Sequence, residues 1–133
     1  MKLVLTLFVA LAVAGSALAA TNNATLKIRH QTHGCHSWSF DGKTWHATQT
    51  ITFVRGAVLT VVDNDVMPHK LIQLSGPKAT LVGAAMKKFG ATAHVAFPVK
   101  GTYVFKTLAG EDYMKGITTI GEDNVLKLVV TVT

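Results

Sequence analysis

At 133 residues the chain has room for one domain with a core of its own, but not for two. Its 13 Lys and Arg outweigh 7 Asp and Glu, for a formal net charge of +6. Yet Lys87-Lys88 is the sole adjacent basic pair, and no aromatic residues interleave with basic ones, so a nucleic-acid partner is not expected. No G-x-S-x-G, H-E-x-x-H or P-loop occurs, and Glu111-Asp112 and Glu122-Asp123 read as solvated loop acids, so the chain is not expected to be an enzyme.

The first residues have the make-up of a secretory signal peptide. Lys2 precedes an apolar stretch from Leu3 to Ala14 broken only by Thr6, and the small-residue triplet Ala17, Leu18, Ala19 follows. The stretch is short for a membrane span and gives way to the polar "TNN", so residues 1–19 are expected to be cleaved. The domain is then 21–133, periplasmic or secreted, with no membrane anchor after cleavage. Losing Lys2 lowers the net charge to +5. A mildly basic surface of this kind speeds encounter with an acidic protein partner.

Short β-branched or apolar runs punctuated by turn residues then follow one another. They cover Thr25 to His30, Ser37 to Phe40, Thr44 to His46, Thr50 to Val54, Ala57 to Asp63, His69 to Leu74, His94 to Phe97, Gly101 to Lys106 and Val125 to Thr133. Asp41-Gly42, Arg55-Gly56, Asn64-Asp65 and Ser75-Gly76-Pro77 supply the turns. The expected fold class is all-β, a Greek-key β-sandwich. At the last run Val125, Leu126, Leu128, Val130 and Val132 are expected to be buried. One helix is expected at most, in "ATLVGAAMKKFG", Ala79 to Gly90, where Leu81, Ala84, Ala85 and Lys88 recur at helical spacing. Trp38 and Trp45 flank the Asp41-Gly42 turn and are expected to be cross-strand neighbours covering one end of the core.

The decapeptide "HQTHGCHSWS", His30 to Ser39, gathers three histidines and the single cysteine of the chain. A lone cysteine forms no disulfide within its own chain, so Cys35 is buried, joins a second molecule, or is held as a thiolate by a metal. Imidazole and thiolate are the donors that late transition metals prefer. His46 and His94 lie outside this cluster and are read as structural.

Two further blocks carry a family resemblance. "FVRGAVLTVVDNDVMPHKLIQL", Phe53 to Leu74, runs from a Gly turn through a hydrophobic strand and an Asn-containing corner to Pro68-His69. "FPVKGTYVFKT", Phe97 to Thr107, holds a Gly-x-Tyr-x-Phe strand. Together they resemble the cupredoxin, or blue-copper-like, family. The resemblance implies a cupredoxin-type sandwich, one copper ion as cofactor, His69 as its upstream histidine ligand, and a protein redox or copper-exchange partner. It also departs from the family pattern: the position expected to hold a cysteine is Thr107, and "LAGEDYMKG", Leu108 to Gly116, has no histidine. Met114 alone stands where an axial thioether is expected.

The decapeptide holds the donor types that this loop lacks. His33 and Cys35 stand at i and i+2, on one face of an extended chain, with Gly34 between them to let the backbone bend. His36 faces the other way unless a turn brings it round, and His30 belongs to the preceding strand. The expected metal ligands are therefore Cys35, His33, His36 and His69, with His33 and His36 as alternatives and Met114 at most a long axial contact. Copper is preferred to zinc because it binds such donor sets more tightly. The expected role is electron transfer or copper handling. The alternative is a metal-free cupredoxin-fold interaction or structural module, with Cys35 buried or in an intermolecular disulfide.

Overall fold

The structure is a computed structural model that describes residues 20–31, 35–116, 118 and 124–133. The expected signal peptide and His33 lie outside these residues. The described strands are β1 (Thr21–His30), β2 (His36–Ser39), β3 (Thr48–Asn64), β4 (His69–Ser75), β5 (Thr80–Val82), β6 (Ala85–Met86), β7 (Ala91–Ala96), β8 (Gly101–Ala109) and β9 (Lys127–Val132). One 3-10 turn, Gly110–Asp112, is the only helical element among the described residues. No helix among them is long and apolar enough to cross a membrane.

The long strand β3 organises the rest. The sequence separates its two halves at Arg55-Gly56, and the structure joins them as one strand that bends there, with Gly56 at φ +83°. Only glycine enters that backbone region without penalty. Consecutive N–H groups at the bend serve different neighbours: Arg55 donates to the Thr133 carbonyl (3.2 Å), and Gly56 to that of Phe97 (2.8 Å). Before the bend β3 pairs in parallel with β9, Thr48 to Phe53 against Lys127 to Val132. Beyond it β3 pairs in parallel with β1 and antiparallel with β7.

One layer is therefore β2-β1-β3-β7-β5 and the other β3-β9-β8-β4-β6, with β3 common to both. Alternation along the strands turns one face of each layer inward. Leu26, Ile28, Leu59, Val61, Ala93 and Val95 from the first meet Leu71, Tyr103, Phe105, Leu128 and Val130 from the second in one buried cluster. Phe97 sits among Phe53, Tyr103 and Phe105, with ring centroids 5.3, 5.0 and 6.0 Å away. Each such fully buried side chain contributes roughly 1.5–3 kcal/mol by leaving water. The fold is the expected all-β class, a two-layer sandwich with mixed parallel and antiparallel pairing.

Three local expectations are corrected. The helix expected over Ala79 to Gly90 is two short strands instead: β5 pairs with β7, and β6 pairs with β4. Gly83 between them has φ +69°, and a Cβ there would lie 2.7 Å from the Thr92 carbonyl oxygen. Edge pairing and a left-handed glycine override the helical spacing of small residues. Val125 is exposed, and the buried face of the last strand begins at Leu126. Trp38 stands opposite His46, not Trp45. Trp38 is fully buried with Nε1 donating to the Ala47 carbonyl (2.9 Å), while Trp45 lies beneath the Arg29 guanidinium, 4.1 Å from its ring centroid.

Gly83→Ala is expected to destabilise the fold by about 2 kcal/mol or more, since it adds left-handed strain to a backbone clash. Urea denaturation checks this. A midpoint equal to the parent's would show that β5 and β6 do not depend on this turn.

Candidate metal centre

The two blocks singled out in the sequence meet at one end of the sandwich. β1 ends at His30 and β2 begins at His36, opposite it in register. The end of β3 lies beside β1, Arg29 against Asn64, and β4 opens at His69 beside the end of β8. The corner 63–69 between β3 and β4 is built by its own side chains. Asp63 Oδ1 accepts the Asp65 N–H (3.0 Å), and Asp65 Oδ1 accepts the Met67 N–H (3.1 Å). Pro68, which lacks a donor, leads into the strand.

This corner places the Asp65 carboxylate between two imidazoles. Its Oδ2 is 2.5 Å from His36 Nδ1 and 2.9 Å from His69 Nε2. Asp65, His36 and His69 are each at most 1% exposed, and the two rings stand edge to face with centroids 4.6 Å apart. An ionised carboxylate only accepts, so each facing ring nitrogen carries a proton. His69 Nδ1 pairs with the Thr107 hydroxyl (3.1 Å), accepting from it when the ring is neutral. His30 Nδ1 lies 3.5 Å from Asp65 Oδ1, with its side chain 47% exposed.

Burial raises the Asp65 carboxyl, but the hydrogen bonds from His36, His69 and the Met67 N–H outweigh it and hold the group well below the usual carboxylate range. A negative charge is thus held in a dry setting by these hydrogen bonds, and a positive partner would stabilise it further. Burial pushes Asp63, two residues earlier, up to about 7, against the backbone N–H groups of Asp65 and His69.

Two donor groups arise, each with ligating atoms within 4.8 Å of one another: His36, Asp65 and His69, and His30, Cys35 and His36. His36 belongs to both. Cys35 is 3% exposed, adopts φ +58°, and its Sγ lies 4.0 Å from Met67 Sδ. Its carbonyl accepts the Gln31 N–H (3.0 Å). The Asn124 amide grips the backbone of His36 on its other side: Oδ1 accepts the His36 N–H (2.9 Å) and Nδ2 donates to the His36 carbonyl (2.6 Å).

Among the expected ligands, His36 and His69 thus converge on one carboxylate, and Cys35 groups with His36. His46 and His94 are exposed, and His94 Nδ1 pairs with Thr60 Oγ1 at 3.2 Å. Met114 is half-buried behind the 3-10 turn, its N–H on the Gly110 carbonyl. Asp65, Met67 and Asn124 were not expected at the site. In "DNDVMPH" the acids read as turn formers, and an amide far along the chain carries no local signal. Thr107 did carry one, because it fills the position where the family resemblance places a cysteine.

The two buried acids act on stability in opposite directions with pH. Asp63, raised from 3.8 to about 7, contributes stability that is fully present below pH 3.8 and is lost as pH rises toward 7. Asp65, lowered from 3.8, contributes stability present above that value and lost as pH falls below it. Asp63→Asn keeps an acceptor for the Asp65 N–H and removes the first dependence. Its stability relative to the parent is expected to rise between pH 4 and pH 8, by about 1–3 kcal/mol. Denaturation curves of the two proteins that stay parallel across this range would contradict the burial argument.

No protein-family model matches the sequence, and no curated protein is similar to it in sequence. Solved structures similar to the chain include a multicopper oxidase, at 16% identity and a TM-score of 0.47, over 83% of this chain and 41% of that one. The chain therefore spans less than half the length of the oxidase. Others are dithionite-reduced auracyanin from the photosynthetic bacterium Roseiflexus castenholzii (16% identity, TM-score 0.43, 86% and 99% of the two chains) and a cysteine protease inhibitor from Entamoeba histolytica (14%, 0.39, 86% and 100%).

Proposed function

We propose that the protein is an exported, copper-binding protein of cupredoxin type, which carries electrons or hands copper to a protein partner and catalyses no substrate reaction of its own. One observation carries this reading: the imidazoles of His36 and His69, from different strands, meet on a single buried carboxylate with all three donors within 4.8 Å. Two ligands of one ion, each about 2.0–2.3 Å from it, lie at most about 4.6 Å apart, so this spacing needs only small side-chain movements. A cation here would also stabilise the buried Asp65 charge further. His36 and His69 are the imidazole ligands, Asp65 is a third donor, and Cys35 is the thiolate donor grouped with His36. Copper is favoured over zinc by its tighter binding to nitrogen and sulfur donors.

A second reading has an observation of its own. Both rings already hydrogen-bond to Asp65, and His69 also to Thr107, so one imidazolium in place of a metal would complete the network. The chain would then be a metal-free module whose buried polar end serves structure or interaction.

Titration of the purified chain with Cu(II) separates the two. The copper reading predicts one tightly bound equivalent, a thiolate-to-copper absorption band lost in Cys35→Ser, and affinity lowered by about 100-fold or more in His36→Ala and His69→Ala. His94→Ala is expected to bind as the parent does. Affinity should fall as the pH drops and the imidazoles and thiol gain protons. Absence of stoichiometric binding would leave the metal-free module.

A further inference from the structure

We propose that Cys35, which serves Cu(II) together with His36 and His69, turns instead to Met67 and His30 to hold Cu(I) in an outer position beside the His36, Asp65 and His69 group. The proposal rests on the copper reading above for its choice of ion and shares Cys35 with that centre, while Met67 and His30 belong to the outer position alone. Cys35 Sγ and Met67 Sδ are 4.0 Å apart, and the ligating atoms of Cys35 and His30 lie within 4.8 Å of each other. Metal–sulfur bonds of about 2.3 Å and metal–nitrogen bonds of about 2.0 Å put two donors on one ion roughly 3.3–4.6 Å apart. The sulfur pair already falls in that interval.

Exposure grades inward across the two groups. The His30 side chain is 47% exposed and Met67 half-buried, whereas Cys35 is 3% and His36 1% exposed. An ion arriving from solvent meets His30 and Met67 first and the imidazole pair last, with His36 adjoining both groups.

The donor types differ in the same direction. Thiolate and thioether are soft ligands that select Cu(I), while two imidazoles and a carboxylate suit Cu(II). Binding at the outer site breaks the Cys35 S–H bond, forms an S–Cu(I) bond and releases one proton, with no change of oxidation state. One carboxylate holds the two groups in register: Asp65 Oδ2 binds both inner imidazoles, and Oδ1 anchors the Met67 backbone at 3.1 Å.

The test uses the full chain without oxygen, titrated with Cu(I) against a colorimetric chelator and separately with Cu(II). Met67→Leu keeps the side-chain volume, and His30→Ala alters a half-exposed residue, so either variant reports should the other fail to fold. Each is expected to weaken Cu(I) binding about tenfold or more while leaving Cu(II) affinity within about twofold. About one proton should be released per Cu(I). Unchanged Cu(I) affinity in both variants, or no Cu(I) binding by the parent, would overturn the outer site and leave the sulfur contact as packing. Failure of the inner centre looks different, since Cu(II) binding would then be absent or indifferent to His69→Ala while the Cu(I) dependence on Met67 and His30 persisted.

Discussion

The ionised carboxylate of Asp65, enclosed between two imidazoles, is the constraint on which this end of the molecule depends. Moving such a charge out of water costs several kcal/mol, and the cost is offset only if its hydrogen bonds are complete and well directed. Asp65 meets that requirement from separate parts of the chain: the start of β2 through His36, the start of β4 through His69, and the corner backbone through Met67. Because each contact arises from a different element, the carboxylate reports whether those elements are in place. Removing one partner from such a group is typically worth about 3–5 kcal/mol, because the charge is then left uncompensated.

The fold brings those elements together through β3. Its first half belongs to the layer that carries β4 and β8, and its second half to the layer that carries β1 and β2. A chain bent at Gly56 can therefore end at Asn64 beside β1 and still turn back, through the corner, into β4. His69 arrives from one layer and His36 from the other. The Asn124 amide occupies the free edge of β2 at His36 much as a neighbouring strand would, so the backbone of that residue is held on both sides. The imidazoles thus stand on strands, not on loops, which restricts how far they move when a ligand arrives or leaves.

Much of this was legible in the sequence because it rests on short-range signals. Alternation marked the buried face that runs from Leu126 through β9, Pro68 marked the entrance of His69, and the clustering of His and Cys marked the segment that carries His36. What was not legible depends on pairing at a distance. Spacing in Ala79 to Gly90 suits a helix in isolation, and only the pairing of Thr80 to Val82 with β7 turns it into strand. Nothing local distinguishes Asp65, which ligates side chains, from Asp41, which accepts from the Lys43 and Thr44 N–H groups in an exposed turn. Met67 looks like core filler until its sulfur is seen against Cys35. The hydroxyl of Thr107 takes meaning only from the imidazole opposite it.

The most direct test of a metal centre built on His36, Asp65 and His69 is the nitrogen-15 spectrum of the histidine side chains, followed while one equivalent of Cu(II) is added. If the account is right, the ring signals of His36 and His69 broaden beyond detection first and together, while those of the exposed His46 and His94 persist until copper is in excess. Early loss of the His46 and His94 signals, with those of His36 and His69 unaffected, would contradict it.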